Sequence, residues 1–162
     1  MPNRDVYAQI DLSAIRHNVK LIKSRIKNNA KMCAVVKADA YGHGAIAVAK
    51  EAVAAGADYL AVAILDEALE LRNAGFKEPI LILGFTPDRQ TQQLVEYDIE
   101  QAVFTLQAAE ALSKEAVRQG KRARVHIKVD TGMHRIGIQP NQAGAFAEAI
   151  AALPGVEIVG LF

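Results

Sequence analysis

The chain has 162 residues, a hydrophobic fraction of 51% and a formal net charge of +1, which suffices for one packed core of about one domain. A charge so near zero argues against a nucleic-acid surface, which needs a basic face to displace phosphate counterions, and the longest apolar runs, such as Leu60 to Leu65, fall far short of a membrane span. The opening Met1-Pro2-Asn3-Arg4-Asp5 lacks the apolar heart of a signal peptide, and the single cysteine cannot form an internal disulfide; both features predict a cytoplasmic protein.

Short apolar runs alternate with segments of helical period. Tyr7 to Leu12 alternates like a strand, and Ile15, Val19, Ile22 and Ile26 then recur on one helix face. Lys31 to Ala38 predicts a strand, followed by an Ala-rich helix from about Ala45 to Ala55 that Gly56 ends. Tyr59 to Leu65 predicts a strand and Glu67 to Ala74 a helix. Pro79 to Gly84 predicts the next strand, with Thr86-Pro87 supplying an N-cap and a first-turn proline for the helix beyond it. Gln101 to Phe104 is a short strand, and Thr105 caps a helix that Gly120 stops. Ala123 to Asp130, a helix from about Pro140 to Ala152, and a last strand from Val156 to Phe162 complete the series.

Strands and helices in alternation imply an α/β fold with a parallel sheet, since parallel neighbours need a crossover. Leu60-Ala61-Val62-Ala63-Ile64 is apolar on both faces, as a strand covered on both sides requires. A doubly wound sheet would carry a Gly-x-Gly-x-x-Gly turn after its first strand, and none occurs. A (β/α)8 TIM-type barrel instead puts reactive residues at the C-terminal ends of strands, where Lys37, Asp130 and Arg135 fall. A whole barrel takes about 250 residues. The expectation is therefore a barrel cut off after about six strands, with 1–12 as a separate N-terminal strand and 13–162 as the partial barrel. A complete six-stranded open sheet is the alternative.

Alternation places Cys33, Val35 and Lys37 on one strand face and Met32, Ala34 and Val36 on the other. Lys37 ends an otherwise apolar face, where partial desolvation favours the neutral, nucleophilic amine that bonds an aldehyde. Tyr41 follows in a turn where Gly42 and Gly44 permit close backbone approach, and its phenol can donate to a phosphate beside the positive end of the helix from Ala45. These residues alone fit a Schiff-base aldolase as well as a pyridoxal enzyme. Lys37 also reads as a solvated strand-end lysine, and His43 as an exposed donor. His126 and His134 offer no metal geometry and read as structural or surface residues.

The string Val36-Lys37-Ala38-Asp39-Ala40-Tyr41-Gly42-His43-Gly44 closely resembles the pyridoxal-lysine signature of the alanine racemases. Ile10-Asp11-Leu12-Ser13-Ala14-Ile15-Arg16-His17-Asn18 precedes it, as in that family, and Lys128-Val129-Asp130-Thr131-Gly132-Met133-His134-Arg135-Ile136-Gly137 forms a second family-like block. The resemblance implies that Lys37 holds pyridoxal 5'-phosphate as an aldimine and serves as the base for the D-enantiomer. It gives Tyr41 to the cofactor phosphate, and Arg135 to the cofactor's phenolic oxygen and the substrate carboxylate. Lys128 resembles the lysine that the family carbamylates to orient Arg135; its other reading is a plain strand lysine facing solvent. The family's opposite-face base is a tyrosine from a C-terminal domain of the other subunit. The implied function is racemisation of alanine, feeding D-alanine to peptidoglycan, by a homodimer. Such a front portion alone is expected to be inactive. A broad-specificity racemase, a non-catalytic pyridoxal-phosphate-binding barrel protein and a purely structural fragment are the competing functions.

Overall fold

In the computed structural model, which describes residues 6–162, the apolar runs pair into one sheet of six strands in the order β1-β2-β3-β4-β5-β6. The strands are β1 (Cys33–Val35), β2 (Tyr59–Val62), β3 (Ile80–Ile82), β4 (Glu100–Val103), β5 (Ala123–Ile127) and β6 (Val156–Leu161). Every neighbouring pair is parallel. Sequential parallel order needs a crossover of the same hand each time, so the connecting helices gather on one face of the sheet. This is the winding of a TIM-type barrel, represented here by six of its strands.

Helix α1 (Leu12–Arg25) precedes the sheet, and α2 (Lys37–Gly42) and α3 (Ala45–Ala54) both follow β1. The remaining crossovers carry α4 (Leu65–Asn73), α5 (Thr91–Glu96), α6 (Leu106–Arg118) and α7 (Ala143–Ala151). Beneath them Leu60, Val62, Ile80, Ile82, Val125 and Ile127 are buried against Leu65, Leu71, Leu94 and Leu112 in the main core. A smaller cluster of Val19, Ala52, Ala55 and Ala57 fastens α1 to the back of α3. The predicted face of α1 is only partly used, because Val19 is buried whereas Ile22 is 53% exposed.

Several expected boundaries move. The alternating stretch from Tyr7 to Leu12 is not a strand: Val6 to Asp11 carry no regular structure, and Val6 and Tyr7 are exposed. Alternation alone makes no ladder, and Asp11 commits the chain to a helix instead, its carboxylate accepting the Ser13 and Ala14 amides. Met1 to Asp5, the rest of the expected N-terminal strand, lie outside the described residues. Thr86 is not a cap either. The turn Asp88–Gln90 has Pro87 at its N-cap with no side-chain bond, and Thr86 donates its hydroxyl proton to the buried Gln101 at 2.6 Å. Thr105 does cap α6, accepting the Ala108 amide.

The face of the sheet away from the helices carries Cys33 and Val35 of β1, both exposed, and the charged residues of β4 and β5. On that face β5 and β6 slip register between Val125 and His126, bringing Gly160 opposite His126. A Cβ on Gly160 would sit 2.2 Å from His126 Nδ1, so the imidazole fills the space a side chain would take. Gly160→Ala is expected to cost about 1–3 kcal/mol of unfolding free energy, as overpacking does. Chemical denaturation checks this, and an unchanged midpoint would mean that the ring turns aside freely.

Candidate active site

The chain leaves β1 at Val36 and enters an unusual turn. Ala38, Asp39, Ala40 and Tyr41 all have φ between 51° and 57° with ψ between 37° and 51°, so α2 is a left-handed helical turn. For L-residues with a Cβ this costs about 1–2 kcal/mol per residue. Specific bonds hold it. Ala40 N–H donates to Val36 O at 2.9 Å and Gly44 N–H to Asp39 O at 2.9 Å. The Asp39 carboxylate accepts the Ala45 amide at 2.6 Å, and Glu67 Oε1 accepts the Ala38 amide at 2.6 Å. His43 Nδ1 lies 3.0 Å from Ala40 O and 3.2 Å from Tyr41 O, so the exposed histidine also ties the turn to itself.

This geometry brings Lys37 and Tyr41 together, with the lysine Nζ 5.9 Å from the phenol ring centroid. Lys37 sits just past the strand rather than within it, and it is half-buried at the open end of an exposed face, not the covered face that alternation suggested. No salt bridge among the described residues involves its amine. The expected role of α3 changes as well. Its first amide is already taken by Asp39, so a carboxylate occupies the positive end that sequence had offered to a phosphate.

The C-terminal end of β5 supplies the second group. Lys128 is half-buried, its Nζ 2.6 Å from Val129 O and 5.2 Å from the Phe162 ring centroid. That places it against β6 and not in open solvent. Beyond it Val129 bridges Ile138, closing a loop over residues 130–137. Asp130 is the knot of this loop: Oδ1 accepts the Gly132 and His134 amides at 3.0 and 2.9 Å, and Oδ2 lies 3.0 Å from His134 Nδ1. These bonds hold its carboxyl down at about 2. Gly137, at φ 124°, lets the returning chain approach Asp130 where a Cβ would lie 2.6 Å from the Asp130 nitrogen. Arg135 projects from the loop, exposed and without an ion-pair partner among the described residues. No bond joins it to Lys37 or Lys128.

Three further acids escaped the sequence reading. Asp39 and Glu67 hold the left-handed turn, and Glu100 opens β4, at the other end of the strand from the mouth. Glu100 is 1% exposed, with Oε1 2.7 Å from Arg124 Nη2 and Oε2 2.7 Å from His126 Nε2. Its signal was present: Arg124 and His126 alternate on one face of β5, and such a face needs an anion in the next strand. The strand that the apolar pattern predicts starts one residue later, at Gln101, and so omits Glu100. Glu67 gave little signal, because Ile64 stands where a capping box has serine or threonine.

The sequence profile of the family described as "Alanine racemase, N-terminal domain" matches residues 10–162. The chain belongs to the alanine racemase family. It is 51% identical over 160 residues to the alanine racemase of Desulfovibrio desulfuricans, covering 99% of this chain and 43% of that protein. Against the Helicobacter pylori alanine racemase the identity is 44% over 163 residues, covering all of this chain and 43% of the relative. Among solved structures, the Clostridium difficile alanine racemase superposes with a TM-score of 0.94 at 39% identity, covering 100% of this chain and 43% of that one. The Bacillus anthracis alanine racemase with bound L-Ala-P gives 0.88 at 40% identity, covering 99% of this chain and 42% of that one. The chain thus spans about two-fifths of the length of the racemases it matches, in their N-terminal barrel.

Because the Asp130 carboxyl is held below its ordinary 3.8, its contribution to the loop is complete above pH 3.8 and is lost as pH falls towards about 2. Amide exchange at Gly132 and His134, corrected for the intrinsic pH dependence, is expected to lose protection across that window. Protection that persists below pH 2 would show that the carboxylate is not what orders the loop.

Proposed function

We propose that this chain forms the cofactor-binding barrel of a racemase that interconverts L- and D-alanine, with pyridoxal 5'-phosphate carried by Lys37. The observation that supports this reading best is the left-handed turn, which sets a primary amine and a phenol side by side at the C-terminal mouth of a singly wound barrel. The donors suit the cofactor's chemistry: an amine for its aldehyde and a guanidinium for anionic oxygens, neither ion-paired among the described residues, and a phenol for its phosphate.

When bound, the cofactor supplies the electron sink that makes an amino acid's α-proton removable. Lys37 then has two tasks. Its amine would hold the cofactor, and its Nζ would take or return the α-proton on one face. Arg135 would meet the substrate carboxylate and the cofactor's phenolic oxygen, where a planar fork fixes orientation better than a point charge. Tyr41 would donate its phenolic proton to the phosphate. Addition of carbon dioxide to the Lys128 amine, with loss of a proton to water, would make it a carbamate anion beside the loop that carries Arg135, able to hold the guanidinium in place. In the cell the reaction supplies D-alanine for peptidoglycan, in the cytoplasm and as a homodimer. Alone, the 162-residue chain is expected to racemise alanine weakly or not at all.

Two measurements test this reading. Adding pyridoxal phosphate is expected to produce a visible absorption band that is absent from Lys37→Ala; a band of equal strength in the variant would remove Lys37 from its role. In the intact protein, Arg135→Lys is expected to raise KM for alanine and lower kcat/KM by about ten-fold or more, since the bidentate contact is lost. Unchanged kinetics would place the substrate carboxylate elsewhere.

A further inference from the structure

The capping glutamate of α4 does more than close its own helix. Glu67 Oε2 accepts the Ala63 amide at 2.7 Å and lies 3.4 Å from the Ile64 amide, both just past β2. Its other oxygen reaches across to a different crossover and accepts the Ala38 amide at 2.6 Å. One half-buried carboxylate therefore fastens the mouth of β1 to the mouth of β2.

The Ala38 amide is not an arbitrary partner. It shares a rigid peptide plane with the carbonyl of Lys37, so pinning it fixes ψ of Lys37 and hence the direction in which the lysine side chain leaves the backbone. It is also the first amide of the left-handed turn, in which Ala38 itself has φ 51°. Relaxed L-alanine prefers the right-handed or extended regions, so the turn needs an external bond at its entry as well as the Asp39–Ala45 bond at its exit.

We propose that Glu67 is a positioning residue for the lysine-bound cofactor: it sets the Lys37–Ala38 peptide so that Nζ meets the pyridoxal aldehyde. This rests on the reading that Lys37 carries the cofactor. Glutamine at 67 keeps the shape of the side chain but turns one acceptor into a donor, which then faces either the Ala38 or the Ala63 amide. A carboxylate is needed because both of its oxygens accept.

The test compares two ligands of the intact protein. Pyridoxal phosphate binds through both its phosphate and Lys37, whereas pyridoxamine phosphate has the same ring and phosphate but cannot bond to the lysine. In Glu67→Gln, the affinity for pyridoxal phosphate, followed by its visible band, is expected to fall about ten-fold or more. The affinity for pyridoxamine phosphate, followed by calorimetry, is expected to stay within two-fold of the parent. Glu67→Asp, which keeps the negative charge in the first turn of α4 but is one methylene too short to span both loops, gives the same comparison if the glutamine variant does not fold. Equal losses for the two ligands, or no loss for either, would overturn the proposal and leave Glu67 a helix cap. A parent protein with no band that depends on Lys37 would instead defeat the cofactor assignment, leaving the two failures distinguishable.

Discussion

Parallel strands laid down in sequential order constrain everything else in this molecule. Each crossover must return on the same side, so the helices cover one face and the other is left to side chains alone. Every strand also points its C-terminal end the same way, which gathers Lys37, the Ala63–Ile64 corner and the Asp130–Arg135 loop at one mouth although they lie far apart in sequence. A singly wound sheet thereby collects reactive groups without any of its own hydrogen bonds being spent on them. The uncovered face carries a polar cluster, with the buried Glu100 paired to Arg124 and His126. Removing either partner would leave a buried charge poorly compensated, the costly outcome for such clusters.

Within that frame the mouth is built from backbone amides and carboxylates. Asp39, Glu67 and Asp130 each accept main-chain N–H groups, and each ties down a segment that neither helix nor sheet would hold. The groups proposed to do the chemistry, by contrast, are left available. Lys37 and Arg135 have no ion-pair partners among the described residues, and Tyr41 is 61% exposed. The acids at the mouth are thus engaged with main-chain amides, while the amine of Lys37 and the guanidinium of Arg135 form no ion pair among the described residues.

Much of this was legible in the sequence. Apolar runs marked all six strands and the main crossover helices, and of the motif residues Lys37 and Lys128 fall just past β1 and β5, whereas Tyr41 lies in the turn after β1 and Arg135 in the loop after β5. What failed was local. Tyr7 to Leu12 has the period of a strand but finds no partner, and Asp11 prefers an amide cap. Thr86 precedes a proline, as a cap would, yet is drawn to Gln101 because that amide is buried and must be satisfied. The left-handed turn could not be anticipated from composition: alanine has none of the tolerance for positive φ that glycine or asparagine has, and the bonds that hold it come from Asp39 and from Glu67 in a different crossover. Tertiary partners, not propensity, decided each of these places.

The turn carries a stereochemical consequence of its own. Ala38 holds φ 51° and ψ 51°, the mirror image of an ordinary helical residue. That region is costly for an L-residue and comfortable for its enantiomer. A protein assembled by chemical ligation with D-alanine at this exposed position would therefore enter the turn without conformational penalty, and its backbone would be better preorganised than the ribosomal one. A fold whose relatives are named for exchanging the two forms of alanine thus holds, beside its proposed cofactor lysine, an L-alanine in the backbone geometry of the D-form.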